Sequence, residues 1–292
     1  MSKGLLDPKV DFVFKNIFGS PNHPEILISF LNATLKAKKK IVNVDIKKTD
    51  IEKQYIEDKY SRLDVKATTS NDEIINIEIQ LKNENNMVKR SLYYLSKMYE
   101  EQLNEKEDYS KLVRTVCINI LNFKYLKTDN FHTGYRFKEI ESNEELTDIM
   151  EVHFIEIPKL QDSSDEKDML VAWTEFLKDP ESEKVRGLEL SIEEIRQAKD
   201  ELIRMSNDST QRELYDMRAN SLRDKMSELN AAERKGIEKG REEGREEGRK
   251  EGIEEGRKEE KIEIARNMKL SGLDTNTLAK ITNLSEDEID KL

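Results

Sequence analysis

The chain is poor in cysteine, which limits its covalent and redox chemistry. Its 292 residues include one cysteine, Cys117, in an apolar run from Val116 to Leu121. A single thiol rules out a framework of intrachain disulfides, and its apolar neighbours indicate a buried core position. We therefore expect a reducing compartment, namely the cytoplasm.

Long apolar runs and an excess of basic charge are also lacking. No run approaches the length of a membrane-spanning helix, and the N-terminal residues lack the apolar segment of a signal peptide. The formal net charge is −11, so no global positive field draws in nucleic acid. Binding of nucleic acid would have to rely on a local basic patch or on bound cations. Charged residues make up 38% of the chain, which predicts a modest core and a long solvated segment.

Apolar periodicity predicts a mixed α/β unit in the first part of the chain. Helical spacing indicates helices at 11–18, 24–38, 87–105, 169–177 and 192–205. Alternating or continuous apolar patterns indicate strands at 41–46, 62–68, 74–81, 113–123 and 152–157, whereas the aromatic-rich segment 131–137 is interpreted as a loop. This order of elements is typical of a mixed sheet covered by helices.

The segments 62–68 and 74–81 flank a polar turn and predict a β-hairpin. Side chains of a strand alternate between faces, so the polar face carries Asp64 in the first strand and Glu78 and Gln80 in the second. If the loop is centred near Asn71, Asp64 lies opposite Glu78, with Cβ atoms roughly 5 Å apart. Two carboxylates this close repel each other unless a cation lies between them. The hairpin is therefore either a metal site or an amphipathic hairpin with a solvated face.

A divalent cation at this position would suit phosphodiester hydrolysis. Mg²⁺ takes one or two carboxylates, keeps several waters and completes its shell with substrate phosphate, where it polarises a phosphoryl oxygen and activates water. Asp64 and Glu78 are the candidate ligands, and the backbone carbonyl of Ile79 can add an oxygen. Gln80 can orient the attacking water or stabilise developing charge. Ca²⁺ and Mn²⁺ are alternative occupants.

Four further residues carry two interpretations each. Asp11 is either another metal ligand or an aspartate favoured by the dipole at a helix N-terminus. Lys15, one turn later, either contacts phosphate or solvates its helix. Arg90 and Tyr94 lie one helical turn apart. In the functional interpretation they clamp a phosphate and stack or hydrogen-bond with the substrate, and in the structural interpretation they only cover the helix surface.

Glycine recurs every four residues late in the chain, at Gly236, Gly240, Gly244, Gly248, Gly252 and Gly256. In a helix of 3.6 residues per turn, this period drifts by about 40° per repeat. The repeat also places like charges four residues apart, and each interior glycine costs about 1 kcal/mol relative to alanine. The segment is therefore either a flexible charged spacer or a helix that needs a partner and mediates self-association.

Two short helices are predicted at the end of the chain, separated by Ser271 and Gly272, with a capping box formed by Ser285 and Glu288. Two helices joined by a tight turn fit a helix-turn-helix. The last helix, 286–292, is acidic and would be repelled by phosphate. A packing or oligomerisation module is therefore favoured over a role in DNA recognition.

The order of the motifs resembles a known family. The segments that carry the resemblance are Asp11–Lys15, Ile17–Gly19, Phe30–Asn32, Leu63–Val65, Asn76–Gln80, Arg90, Tyr93, Tyr94, Gln102, Leu103, Tyr109, His153–Glu156 and Lys159. In this order they resemble the Rpn-type recombination-promoting nucleases, transposase-like members of the PD-(D/E)XK superfamily. The glycine repeat and the C-terminal unit are similar to the tail common in that family.

The resemblance implies a restriction-endonuclease-like α/β fold and a metal-dependent DNA endonuclease associated with recombination or mobile elements. It carries Asp64 and Glu78 over as metal ligands and places Gln80 where the superfamily usually has lysine. Glutamine carries no charge and cannot act as a base, so proton abstraction would fall to metal-bound hydroxide or to a distant group. Leu63 replaces the proline of the superfamily motif, which is tolerable because only the carboxylate of Asp64 binds metal.

The predicted organisation has four segments. They are a nuclease-like core at 1–180, a helical extension at 181–230, the charged repeat at 231–263 as helix or spacer, and a small helical unit at 264–292. The expected partners are DNA and further copies of the chain, which would associate through the tail, and no membrane. The alternative function is a catalytically inactive, oligomerising scaffold, favoured by the missing lysine and by the acidic balance.

Overall fold

The computed structural model describes residues 4–37, 39–47, 65–83, 85–165 and 167–292. The chain divides into two compact units, one up to Leu222 and one from Arg223 onward. Within the described ranges, each helix is too short or too polar to span a membrane.

The first unit is built on a mixed sheet. Its strands are β1 (Val44–Lys47), β2 (Val65–Thr69), β3 (Ile74–Gln80), β4 (Thr115–Leu121), β5 (His132–Lys138) and β6 (Glu145–Glu156). In space they follow the order β1-β2-β3-β4-β6-β5. β3, β4 and β6 run parallel, whereas β1, β2 and β5 pair antiparallel with their neighbours. The predicted mixed α/β sheet is confirmed.

Helices flank this sheet and continue beyond it. They are α1 (Asp11–Phe18), α2 (Pro24–Leu35), α3 (Met87–Glu100), α4 (Met169–Lys178), α5 (Glu183–Glu189), α6 (Glu193–Asn207), α7 (Ser209–Leu270), α8 (Thr275–Thr282) and α9 (Glu286–Asp290). Single 3₁₀ turns lie at Tyr109–Lys111 and Ile157–Lys159. Pro24 occupies the first turn of α2, where its missing N–H costs no helical hydrogen bond.

The two faces of the sheet belong to different apolar clusters. The larger cluster joins α1, α2, α4 and α6 to alternate residues of the central strands: Ile75, Ile77, Ile79, Val116, Ile118 and Ile120. The smaller cluster joins α3 to the opposite face, with Cys117 and Val152 among its members. Every residue of β4 is buried, as expected of a central strand covered on both faces. The side chains of Glu78 and its strand neighbours on the polar face consequently point toward α3.

The prediction of a loop at 131–137 was wrong, because this segment forms β5. β5 is an edge strand, paired with β6 on one side, and its Tyr135 and Phe137 are 47% and 51% exposed. A half-exposed edge strand does not need the clear apolar alternation by which strands are identified. β6 also begins at Glu145 rather than at Val152, since its first residues are largely exposed and extend as a ribbon with β5.

The second unit contains the later part of α7 followed by α8 and α9. Every residue from 232 to 261, which includes the glycine repeat, is helical and exposed. After α7, Gly272 adopts φ +90°, a conformation that favours glycine. Ala265, Leu278, Leu284 and Ile289 form a small core. The predicted capping box is confirmed, since Ser285 and Glu288 cap α9 reciprocally.

Candidate active site

The hairpin of β2 and β3 provides the frame of the candidate site. Val65 pairs with Ile77 and Lys66 pairs with Asn76. This is the register expected from a loop centred near Asn71. Asp64 lies outside the described residues, so its place opposite Glu78 stays a prediction.

Glu78 is the buried carboxylate of this site, and its side chain is directed away from the larger cluster. Ile77 and Ile79 on either side of it are buried in that cluster, whereas Glu78 faces α3 and is 1% exposed. Its Oε1 lies 3.5 Å from the amide nitrogen of Asn76, and its Oε2 lies 3.3 Å from Nε of Arg90. Within the described part of the chain, Oε2 accepts no hydrogen bond. The contact with Arg90 is therefore an ion pair without hydrogen-bond geometry.

Burial dominates the electrostatics of Glu78. Removal from water raises the pKa of this carboxyl to about 7, although Arg90 and Asn76 both lower it. The effect of desolvation on the pKa is thus larger than the effect of the ion pair. The neighbouring groups therefore do not fully offset the cost of burying the charge of Glu78. A buried carboxylate oxygen without a hydrogen-bond donor is suited to a cation. The donor set at Glu78 therefore fits a hard divalent metal, which is one of the two interpretations that the sequence of the hairpin allows.

Arg90 and Tyr94 lie one turn apart in α3, as predicted. The guanidinium carbon of Arg90 lies 5.4 Å from the centre of the Tyr94 ring, within the range of a cation–π contact. Tyr94 is buried and meets the exposed ring of Tyr93 edge-on. The structure therefore brings Arg90 to Glu78, a contact that the sequence prediction of a phosphate clamp did not include.

Gln80 and Ile79 complete the strand portion of the site. Gln80 is the last residue of β3 and lies on the same side of the strand as Glu78, half-buried. Its carbonyl accepts a hydrogen bond from the amide of Asn122. The side chain of Ile79 belongs to the larger cluster, so that only the backbone of this residue could serve the site.

Asp11 and Lys15 are placed on α1, which packs in the cluster on the other face of the sheet. Asp11 accepts a hydrogen bond from the amide of Phe12 and forms an ion pair of 2.6 Å with Arg218 in α7. Among the described residues, no hydrogen bond or ion pair joins Asp11 or Lys15 to Glu78. The position of Asp11 agrees with the role at a helix N-terminus that the sequence also allowed.

Two neighbours of Glu78 were not among the predicted site residues. Asn76 is 1% exposed and lies two positions before Glu78 on the same strand face, a spacing that could have identified it. Cys117 pairs with Asn76 across β3 and β4. Burial and the nearby Glu78 charge raise the pKa of its thiol above the ordinary range, so Cys117 is a core residue and a poor nucleophile.

Over the described ranges, no group of three or more His, Cys, Asp or Glu side chains is arranged to hold a metal ion. Glu78 therefore represents a site with one described carboxylate. Mg²⁺ does not require more, because it often keeps several waters and binds one or two carboxylates.

The comparison with protein families identifies the family to which the chain belongs. Residues 8–232 match the family described as PD-(D/E)XK nuclease family transposase. The chain belongs to this family. Nucleases of the PD-(D/E)XK type generally use divalent cations, which agrees with the donor set at Glu78. No curated protein and no solved structure matches the chain.

A second match covers residues 258–292 and is described as the C-terminal helix-turn-helix domain of the Rpn/YhgA-like nuclease family. This range contains α8, α9 and their small core. The match supports the predicted Rpn-type resemblance. It also favours the helix-turn-helix interpretation, which the sequence alone had ranked below a packing or oligomerisation module.

Proposed function

We propose that this PD-(D/E)XK protein is a divalent-metal-dependent DNA endonuclease that hydrolyses phosphodiester bonds at the hairpin of β2 and β3. The observation that carries the proposal is Glu78, a fully buried carboxylate with one oxygen that accepts no hydrogen bond from the described residues. Burying a charge without full compensation costs stability, and such a cost is characteristic of functional sites. Mg²⁺ is the first candidate, with Mn²⁺ and Ca²⁺ as alternatives.

A bound divalent cation would polarise a phosphoryl oxygen and acidify the attacking water. Glu78 would hold the cation, and its side chain is so fully buried that bulk water has little access to the carboxylate. The neutral amide of Gln80 would orient the attacking water through hydrogen bonds, since it cannot accept a full proton. Arg90 would contact a phosphate oxygen of the substrate through its planar guanidinium.

The remaining predicted residues enter the proposal with different support. Asp64 would be the second carboxylate ligand, and the backbone carbonyl of Ile79 would add an oxygen. Tyr94 would support Arg90 through its ring, as its distance allows. Asp11 and Lys15 have the least support, because α1 packs in the cluster on the opposite face.

Nicking of supercoiled DNA by the purified full chain tests the proposal. We expect cleavage with Mg²⁺ or Mn²⁺, and loss of at least a hundredfold in rate for Asp64→Ala and for Glu78→Ala, because each would remove a metal ligand. Glu100→Ala is a matched control, since this glutamate is exposed at the end of α3. If both ligand variants cut as fast as the parent, the proposed site is wrong. Running the assay with RNA in parallel decides the class of nucleic acid.

The helix-turn-helix unit supports DNA as the partner, and the match to a transposase family supports an association with recombination or mobile elements. Its last helix, α9, consists of Glu286, Asp287, Glu288, Ile289 and Asp290. An acidic helix cannot approach phosphates closely, so contacts with DNA would come from the remainder of the unit. Removal of residues 258–292 should weaken binding of a DNA duplex without abolishing metal-dependent cleavage.

We further propose that α7 mediates self-association. Its glycine repeat forms a fully exposed helix in which an added Cβ at any repeat glycine would contact nothing within 4 Å. A long glycine-rich helix without tertiary packing has marginal stability. Exposed Ile237 and Ile253 offer apolar contacts to another copy. Truncation before Ala231 should lower the mass measured by light scattering to that of a monomer, whereas an unchanged stoichiometry would contradict this role.

Gln80 is the observation that favours a second candidate, an inactive nuclease-like scaffold. This candidate predicts no cleavage with any divalent cation and an assembly that dissociates on truncation before Ala231. A cytoplasmic location remains a prediction from the single cysteine.

A further inference from the structure

Position 80 is usually a lysine in the superfamily, but here it is glutamine and carries no charge. A positive charge near Glu78 must therefore come from another residue. The structure provides one from α3. Nε of Arg90 lies 3.3 Å from Oε2 of Glu78, and the side chain of Arg90 is 20% exposed while that of Glu78 is 2% exposed. An unpaired buried carboxylate is costly, and the ion pair offsets part of that cost. Arg90 is therefore a counter-ion of Glu78 in addition to any contact with substrate.

Arg90 has a second anchor within the same helix. Its guanidinium carbon lies 5.4 Å from the ring centre of Tyr94, whose side chain is buried one turn later. The guanidinium thus contacts the carboxylate and the aromatic ring and keeps partial access to solvent. Loss of the carboxylate contact would leave the cation–π contact with Tyr94, which holds the guanidinium near the site.

The contact with Arg90 uses an oxygen that is suited to a metal. A magnesium ion bound to a carboxylate oxygen lies about 2.1 Å from it, whereas Nε of Arg90 lies 3.3 Å from Oε2 of Glu78. Two cations that share one carboxylate oxygen repel each other strongly in a buried site. Binding of a metal by Glu78 and the ion pair with Arg90 therefore compete.

We propose that Arg90 is a displaceable counter-ion: it neutralises Glu78 in the metal-free protein and turns to a substrate phosphate when a divalent cation binds Glu78. This inference rests on the proposed function. Arginine suits both positions, because its planar guanidinium pairs with carboxylates and with phosphates. The consequence is positive coupling, in which metal binding strengthens DNA binding and DNA binding strengthens metal binding by the same factor. Arg90 is thus a positioning residue of the site.

Metal affinity without DNA provides a measurement that does not depend on cleavage. Free Mn²⁺ can be followed by electron paramagnetic resonance during titration of the full chain at pH 8. We expect Arg90→Gln and Arg90→Met to bind Mn²⁺ about tenfold more tightly than the parent, since the competing cation is gone. Lys89→Gln is the matched control. It removes a positive charge from the adjacent, exposed position of α3 and should leave the affinity unchanged.

DNA affinity provides the second measurement. Fluorescence anisotropy of a short duplex should show that Ca²⁺ strengthens DNA binding by the parent and strengthens it less in Arg90→Gln. The salt dependence of binding by that variant should also decrease by roughly 0.9 in slope, which corresponds to one lost phosphate contact. A merely structural Arg90 would not change the response to metal in this way.

The outcomes separate this inference from the proposed function. If the parent binds Mn²⁺ and cuts DNA while both Arg90 variants bind Mn²⁺ as the parent does or more weakly, the counter-ion role is overturned and the endonuclease stands. If the parent binds no Mn²⁺ and cuts no nucleic acid with any divalent cation, both fail together. Tighter Mn²⁺ binding in either folded variant, with a weaker response of DNA binding to Ca²⁺, supports the inference.

Discussion

Glu78→Gln should stabilise the metal-free protein, although it removes the central residue of the proposed site. The pKa of Glu78 rises from its ordinary 4.5 to about 7 because of burial. The ionised carboxylate therefore costs roughly 3 kcal/mol relative to the unfolded chain. Glutamine has nearly the same shape and no charge, so most of this cost disappears, less the contribution of the lost ion pair with Arg90. We expect a net gain of about 1–3 kcal/mol in the free energy of unfolding.

The gain has a defined dependence on pH. Because the folded pKa lies above the unfolded one, the unfolded chain ionises first, and the cost accumulates as the pH rises from 4.5 to about 7. Urea unfolding of the full chain in EDTA should therefore show little difference between Glu78→Gln and the parent at pH 4.5. The full difference should be present at pH 8.5.

Glu156 offers a matched control with the opposite expected sign. It is fully buried, but its oxygens accept hydrogen bonds from the amides of Tyr125 and Leu126 and from Lys159. Breaking a satisfied buried pair typically costs about 3–5 kcal/mol, so Glu156→Gln should destabilise the protein. If Glu78→Gln destabilises the protein at pH 8.5 as Glu156→Gln does, Glu78 is a structural residue and its burial says nothing about a metal.

Three further predictions concern other parts of the chain. Burial, with help from His153, lowers the pKa of His132 from 6.5 to about 4, so the unfolded chain takes up this proton first and stability falls as the pH drops through that range. His132→Gln should reduce the loss in the free energy of unfolding between pH 6.5 and 4, by up to about 2 kcal/mol after allowance for partial exposure. If urea unfolding shows the same pH dependence for the variant and the parent, this prediction is wrong. Trp173 is fully buried against Phe18, so Trp173→Ala should lower the free energy of unfolding, measured with urea, by about 3–5 kcal/mol. A loss below 1 kcal/mol would show that the surrounding core collapses into the space left by the ring. Gly248→Ala should stabilise α7 by about 1 kcal/mol. Its helical circular dichroism signal should therefore persist to a higher temperature than that of the parent, whereas a lower helical signal would show that the glycine is needed for a helix contact.

The hairpin shows how much of the site can be predicted from sequence. Strand alternation from 74 to 81 places Glu78 and Gln80 on one face and Ile77 and Ile79 on the other, and the structure has this arrangement. The reason is local, since the side-chain period of a strand is fixed by the backbone. The apolar periodicity of α1 and α3 is equally local, and both helices begin at their predicted residues.

β5 shows where local reasoning fails. Its strand character depends on pairing with β6 along the edge of the sheet, a contact that no pattern within 131–137 records. Asp11 illustrates a related limit. Its spacing in the sequence predicts a helix, but only the packing of α1 determines which face of the sheet that helix covers.

The sequence by itself determined the mixed α/β class, the shared face of Glu78 and Gln80, the family resemblance and the two-helix end of the chain. These follow from short-range periodicity and from motifs that need no partner. Only the tertiary structure decided that Glu78 is buried, that Arg90 rather than residue 80 supplies its positive charge, and that Asp11 pairs with Arg218. Burial and ion pairing depend on which elements pack together. An arginine beside a carboxylate lowers the pKa of that carboxylate, but at Glu78 the loss of water is the stronger effect and raises the pKa.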